Sequence, residues 1–228
     1  MPRTPKLPDL PEFDGVQIAH RLGQWLSDSL SLKSLRQNEA IPADAPPGSR
    51  AGIESFDEID QPNEAGSVQI QWYDYGASGV TFQESEDLEK LCSSERPEGQ
   101  EVRWINVDGL HPYVVNRLRQ TYDFHTLAAE DVLRTSQRPK LEAFEDHIFV
   151  VARMLALMNG NLRQEQVSFF LFKNTLITFQ EVHGDIWDPI RERLQKSNSR
   201  MRTMGAAYLL YALLDAVVDH TFPILEGY

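Results

Sequence analysis

Cysteine is almost missing: Cys92 is the only one in 228 residues. A lone thiol excludes an internal disulfide framework and any Cys-rich zinc module, and it fits a reducing compartment. Basic residues are also scarce, 22 Lys and Arg against 34 Asp and Glu, giving a formal net charge of −12 and a pI near 4.9. A non-specific nucleic-acid binder needs a basic face to displace counterions from phosphates. The balance therefore argues against that class and favours cations, basic partners or simple solubility. No apolar stretch approaches the ~18 residues that span a bilayer. The most apolar region, residues 148–158, is cut by Arg153. The opening MPRTPKLPDLPEF is too rich in proline and charge for a secretory signal.

Motifs of phosphate, acyl-transfer and zinc chemistry are absent as well. GxxxxGK does not occur, GASG at 76–79 lacks the strand-to-helix context of a phosphate loop, and neither GxSxG nor HExxH is present. Histidines stand at 20, 111, 125, 147, 183 and 220, and no pair has ligand spacing on one face. A triad can still assemble from distant positions, yet nothing local marks an activated nucleophile.

What is present is 41% apolar, 10% aromatic and 25% charged, an ordinary composition for a chain that buries a core. Residues 1–65 read as an N-terminal extension: a Pro-rich start, an amphipathic helix over roughly 16–36 carried by Ile18, Leu22, Trp25, Leu26 and Leu30, and a linker punctuated by Pro42, Pro46, Pro47 and Gly48. Residues 66–228 read as one compact domain. Strands are expected at 68–75, 80–82 and 101–107, with a short helix at 84–92 between the last two. Two helices follow at 111–122 and 124–134. The dense apolar run ending at Met158 suits a strand buried on both faces, Asn159-Gly160 a turn, and 166–173 and 176–181 two further strands. Helices at 185–197 and roughly 203–222 close the chain. The fold class is α/β (α+β), with a mixed, mostly antiparallel sheet sandwiched between helical layers.

Two pairs of acids stand out. On the last helix Leu209, Leu210, Leu213 and Val217 share one broad face, while Tyr208, Ala212, Asp215 and Asp219 fall on the opposite stripe. Asp215 and Asp219 are i,i+4 neighbours, roughly 5–6 Å apart at Cβ, and repel each other. A hard divalent cation such as Mg²⁺ or Ca²⁺ relieves that repulsion; a solvated face with the acids paired elsewhere is the alternative. Glu130 and Asp131 form the second pair. Asp131 projects beside an apolar stripe, as an edge residue at a subunit contact or as a paired buried acid, and Glu130 lies one turn before Arg134. Asp185 as N-cap and Asp188 in the first turn are explained as helix-start residues. The basic knot Gln137-Arg138-Pro139-Lys140 reads as a loop feeding a strand, with an anion site as the alternative.

WINVDG at 104–109, HTLAAEDVL at 125–133, QRPKLEAFEDHIFVVARM at 137–154, EQVSFFLFKNTLITFQE at 165–181, GDIWDPIRERL at 184–194 and YLLYALLDAVVDHTFPILE at 208–226 occur in that order. The set resembles the cytoplasmic domain of the CorA magnesium/cobalt transporters over roughly residues 68–226. The resemblance implies a mixed sheet between helical layers, followed by a stalk helix and two membrane helices expected beyond Tyr228. It implies a homopentamer in the inner (plasma) membrane with this domain on the cytoplasmic side, and no enzymatic activity. It also implies regulatory Mg²⁺, with Co²⁺ or other divalent cations as variants, held between neighbouring domains. Residue by residue it places metal-site acids on Glu130, Asp131, Asp215 and Asp219. Two other readings stay open: a zinc transporter of the same superfamily, and a stand-alone metal-dependent hydrolase, which predicts a deep pocket holding several acids.

Overall fold

The computed structural model describes residues 68–158, 161–181 and 183–226, together with positions 20, 21 and 24. His20, Arg21 and Gln24 have helical backbone. The rest of the expected 16–36 helix, the Pro-rich linker and the Asn159-Gly160 turn lie outside the described residues.

The chain runs β1 (Gln69–Gly76), β2 (Gly79–Ser85), α1 (Leu88–Ser93), β3 (Val102–Asp108), α2 (Pro112–Tyr122), α3 (Thr126–Leu133), β4 (Lys140–Ala143), β5 (Ile148–Met158), β6 (Asn161–Leu171), β7 (Thr175–Gln180), α4 (Asp188–Gln195), a 3-10 turn (Arg200–Thr203) and α5 (Ala206–Glu226). The seven strands form one sheet in the order β2-β1-β3-β7-β6-β5-β4. The β3–β7 pair is parallel and the other neighbours are antiparallel, the mixed sheet expected from the strand pattern.

Strand side chains alternate between the two faces, and the core divides accordingly. Tyr73, Tyr75, Trp104, Val150, Phe169 and Leu176 face one side, where α4, the 3-10 turn and α5 cover them with Ile190, Leu194, Met201, Leu209, Leu210, Leu213 and Val217. Ile70, Trp72, Ile105, Val107, Phe149, Phe170, Ile177 and Phe179 face the other, under α1, α2 and α3 with Leu88, Leu91, Val115, Leu118, Ala128, Ala129 and Val132. The sheet is thus a septum between two apolar layers. At its β1–β3 rungs, Arg103 and Asp74 form a buried two-pronged ion pair at 2.7 and 2.8 Å, with side chains 5% and 0% exposed. Gly76 closes the β1–β2 hairpin where only glycine fits, because a Cβ there would stand 2.1 Å from the Gly99 carbonyl oxygen.

Three details differ from the sequence reading. Residues 140–143 form a strand of their own, where the sequence suggested only a loop at 137–140 feeding the apolar strand. Lys-Leu-Glu-Ala has little intrinsic β preference, and its pairing with β5, Lys140 opposite Val151, supplies the order. The helix expected to start at Asp185 begins at Asp188 with Trp187 as N-cap. Asp185 precedes it, accepting the Trp187 N–H at 2.9 Å and pairing with Arg191. The last helix continues through Pro223 to Glu226. A proline there offers no N–H to the Asp219 carbonyl, four residues back.

Candidate metal centre

Helix α2 ends at Asp123, which adopts a left-handed φ of 54°. His125 then caps α3: its Nδ1 accepts the Leu127 N–H at 3.2 Å. Ala128, Ala129 and Val132 turn towards the sheet, which leaves Glu130 and Asp131 on the flank of the helix. Glu130 accepts from Arg134 at 2.6 Å, the i,i+4 pair legible in the sequence. Asp131 is held more tightly. Its Oδ1 accepts Gln137 Nε2 at 2.7 Å and its Oδ2 accepts Lys140 Nζ at 2.6 Å, while Lys140 also reaches Glu142 Oε1 at 2.9 Å. Burial works against the Lys140 ammonium, but its hydrogen bonds to Asp131 and Glu142 outweigh this and hold its pKa above the ordinary lysine value. Gln166, buried on β6, donates from Nε2 to the Asp131 carbonyl at 2.8 Å and accepts the Gln137 N–H at 3.1 Å, which fixes the α3–β4 connection.

The second acidic pair is on α5. Asp215 is half-buried and Asp219 exposed. Burial raises the Asp215 pKa and the Asp219 charge adds to it; Arg193 and a hydrogen bond from Tyr211 offset part of the rise. One oxygen, Asp215 Oδ1, is buried with no hydrogen-bond partner. The two pairs belong to different layers: α3 packs on one face of the sheet and α5 on the other. The structure therefore does not bring Glu130 and Asp131 together with Asp215 and Asp219 within one chain. Among the described residues no three His, Cys, Asp or Glu side chains converge as a metal cluster.

A third cluster was missed by sequence reasoning. At the carboxyl ends of the parallel strands β3 and β7, a cleft of about 380 Å³ is lined by Tyr73, Asp108, Asp185, Asp188 and Arg191, among others. Asp108 is pushed up by burial, although the Gly184 N–H donates to its Oδ2 at 3.2 Å. Asp185 is drawn below its ordinary value: burial opposes its charge, and the Arg191 guanidinium, 2.6 Å from its Oδ1, overrides that. Asp188 also binds Arg191, at 2.9 Å. Two of the three acids are thus committed to one arginine, and none of Glu130, Asp131, Asp215 or Asp219 lines the cleft, contrary to what the hydrolase alternative requires of those carboxylates. Asp185 and Asp188 were noted in the sequence only as helix-start residues, and nothing local joined them to Gln71, Tyr73 and Asp108 far earlier in the chain.

Residues 99–227 match the family model described as CorA-like Mg²⁺ transporter protein. The cobalt/magnesium transport protein CorA of Thermotoga maritima is 44% identical over 126 residues, covering 54% of this chain and 36% of that protein, so the match spans about a third of that curated relative. Among solved structures, the soluble domain of CorA from Methanocaldococcus jannaschii superposes with a TM-score of 0.54 at 13% identity, over 69% of this chain and 59% of that one. The cytoplasmic domain of ZntB from Vibrio parahaemolyticus gives 0.52 at 17% identity, over 71% and 62%. These likenesses establish the fold, a septum-like mixed sheet with helices on both faces. With more than half of the sequence inside the family model, the chain belongs to the CorA-like Mg²⁺ transporter protein family.

Proposed function

We propose that this chain is the cytoplasmic, metal-regulated domain of a divalent-cation transporter in the inner membrane, Mg²⁺ or Co²⁺ being the cargo. In this reading Glu130 and Asp131 of one copy face Asp215 and Asp219 of the next in a ring of five. These four carboxylates would hold a regulatory Mg²⁺, whose positive charge would favour the closed arrangement. The observation that carries the reading is the placement of the two acidic pairs on opposite faces of one sheet. Acids so placed cannot share an ion within a chain, whereas a head-to-tail neighbour offers each pair the other as partner. An exposed apolar side chain accompanies each pair, Leu127 one turn before Asp131 and Phe222 three residues after Asp219, so an interface there gains apolar burial as well as charge compensation.

The donor set suits a hard cation: four carboxylates, with a partnerless Asp215 oxygen beside a second carboxylate. On α3 the fit requires exchange, because Gln137 and Lys140 already occupy both Asp131 oxygens. When bound, Mg²⁺ supplies positive charge between two negative surfaces. The chain's own residues do the rest: α3 and α5 hold the carboxylates at fixed heights on the two faces, and Gln166 keeps the α3–β4 connection from shifting. Without the ion the acids repel, and the population moves away from the closed ring to the extent that Mg²⁺ prefers it. Oxygen-only donors favour this reading over a zinc transporter.

Sedimentation of the chain with EDTA and with millimolar Mg²⁺ tests the reading. Mg²⁺-dependent association that Asp215→Asn weakens is the expected outcome. Association that ignores Mg²⁺, or Mg²⁺-dependent association untouched by substitutions in both acidic pairs, would refute it.

A further inference from the structure

As a metal ligand Asp131 is encumbered, because its two carboxylate oxygens are both engaged within the chain. The more consequential partner is Lys140. Its ammonium stands 2.6 Å from Asp131 Oδ2 and 2.9 Å from Glu142 Oε1, and 5.4 Å from the centroid of the Phe149 ring. It thus engages one of the two Asp131 oxygens that a divalent cation would need, with Glu142 and the Phe149 π face as its other partners. An ammonium and a dication cannot share an oxygen at that distance, because like charges that close repel by more than the remaining contacts return.

Resting on the proposed metal reading, we propose that Lys140 is a tethered counterion that neutralises Asp131 when no metal is bound and must leave before a divalent cation can bind there. Its hold on Asp131 then sets the metal concentration at which the α3 acids respond. Two features make exchange feasible. The Lys140 side chain is 27% exposed, so the ammonium has a path to water, and its four-carbon stem swings without moving the backbone. The backbone is fixed independently, by pairing of β4 with β5 and by Gln166 across the α3–β4 connection. Charge counting gives the direction. With Lys140 in place, Asp131, Glu142 and Lys140 sum to one negative charge; with Lys140 withdrawn, two face the ion. A binding-competent state that is only partly populated raises the apparent dissociation constant by the reciprocal of its population. Removing the tethered charge therefore tightens binding rather than weakening it. A purely structural tie between α3 and β4 makes no such prediction.

The test uses the whole chain with both acidic pairs intact and Mn²⁺ as the probe, its free concentration followed by electron paramagnetic resonance, and Asp131→Asn identifies the binding that depends on the α3 acids. Lys140→Met keeps the apolar stem over Phe149 and removes the charge. It is expected to bind Mn²⁺ about fivefold more tightly, the equivalent of ~1 kcal/mol for one partly exposed ion pair. Lys140→Arg retains the charge and is expected to bind no more tightly than the parent, and Asp131→Asn is expected to abolish the gain from Lys140→Met. If Asp131→Asn lowers affinity but Lys140→Met leaves it unchanged or lower, Asp131 stands as a ligand and the tethered-counterion proposal falls. If Asp131→Asn changes nothing in either background, the metal reading of Asp131 falls and takes the proposal with it. A measurement without substitution guards against a misfolded variant: the Lys140 Nζ resonance of the unsubstituted chain. It is expected to broaden as Mg²⁺ saturates the chain, when the ammonium enters water; a sharp, unshifted signal at saturation overturns the proposal.

Discussion

Asp215→Asn in the metal-free chain is predicted to stabilise the fold, although it alters a half-buried residue on α5, which runs for 21 residues. Asp215 carries a charge that burial and the Asp219 carboxylate both oppose, and its Oδ1 has no donor to compensate. Removing the charge relieves a like-charge i,i+4 repulsion of about 0.2–0.5 kcal/mol and part of the cost of burying a carboxylate. The latter is discounted because the side chain is half in water and Arg193 offsets some of it. The Tyr211 hydroxyl keeps an acceptor, since the amide oxygen replaces a carboxylate oxygen. A net gain of about 0.5–1 kcal/mol follows, which for a chain of this size raises Tm by roughly 1–4 °C. The pH dependence has a definite sign. An acid whose folded-state pKa lies above its ordinary 3.8 destabilises the fold at neutral pH, and that penalty fades as pH falls through the raised value. The wild-type chain should therefore close the gap to the variant on mild acidification. Thermal unfolding by circular dichroism, in EDTA at low ionic strength and across pH, reads both effects. In Mg²⁺ the ranking should narrow or invert, because the ion compensates only the carboxylate. A variant less stable than wild type in EDTA, or a gap independent of pH, would refute the reasoning.

Two further substitutions probe the scaffold that holds the acids. Arg103→Met leaves the Asp74 carboxylate, 0% exposed, without its partner at the β1–β3 rungs; a loss of about 3–5 kcal/mol in urea unfolding is expected, and a loss below 1 kcal/mol would mean the pair is not buried as described. Gly76→Ala puts a methyl 2.1 Å from the Gly99 carbonyl oxygen, so the β1–β2 hairpin must shift; a loss of about 1–3 kcal/mol is expected, checked by chemical denaturation, and unchanged stability would contradict the close approach.

How much of this was legible in the sequence depends on whether the signal was local. The strand signals at 68–75, 101–107 and 176–181 and the dense apolar run of β5, read as buried on both faces, announced a mixed sheet between helical layers, and the segregated core follows that pattern. The wheel of α5 put Leu209, Leu210, Leu213 and Val217 inward correctly, and the Glu130–Arg134 pair was read from spacing. Ala212, assigned to the acidic stripe, is nonetheless buried, since α5 packs over a wider arc than one stripe. What the sequence concealed is long-range. β4 is a strand because β5 lends it a ladder, not because Lys-Leu-Glu-Ala prefers one. The basic knot at 137–140 gave no hint that Lys140 and Gln137 would close on Asp131, because the turn after α3 separates them in sequence. Asp185 was misread as an N-cap because the helix begins only at Asp188; its carboxylate instead accepts the Trp187 N–H and pairs with Arg191. That the two acidic pairs lie on opposite faces is a property of the topology, and no helical wheel contains it.

The most direct measurement is anomalous diffraction at the manganese edge from crystals of the chain grown with Mn²⁺ in place of Mg²⁺. Bridging of adjacent copies predicts a peak between Asp131 of one molecule and the Asp215–Asp219 stripe of the next, with Lys140 turned away from Asp131. Strong peaks elsewhere, with none joining α3 of one copy to α5 of another, would contradict it.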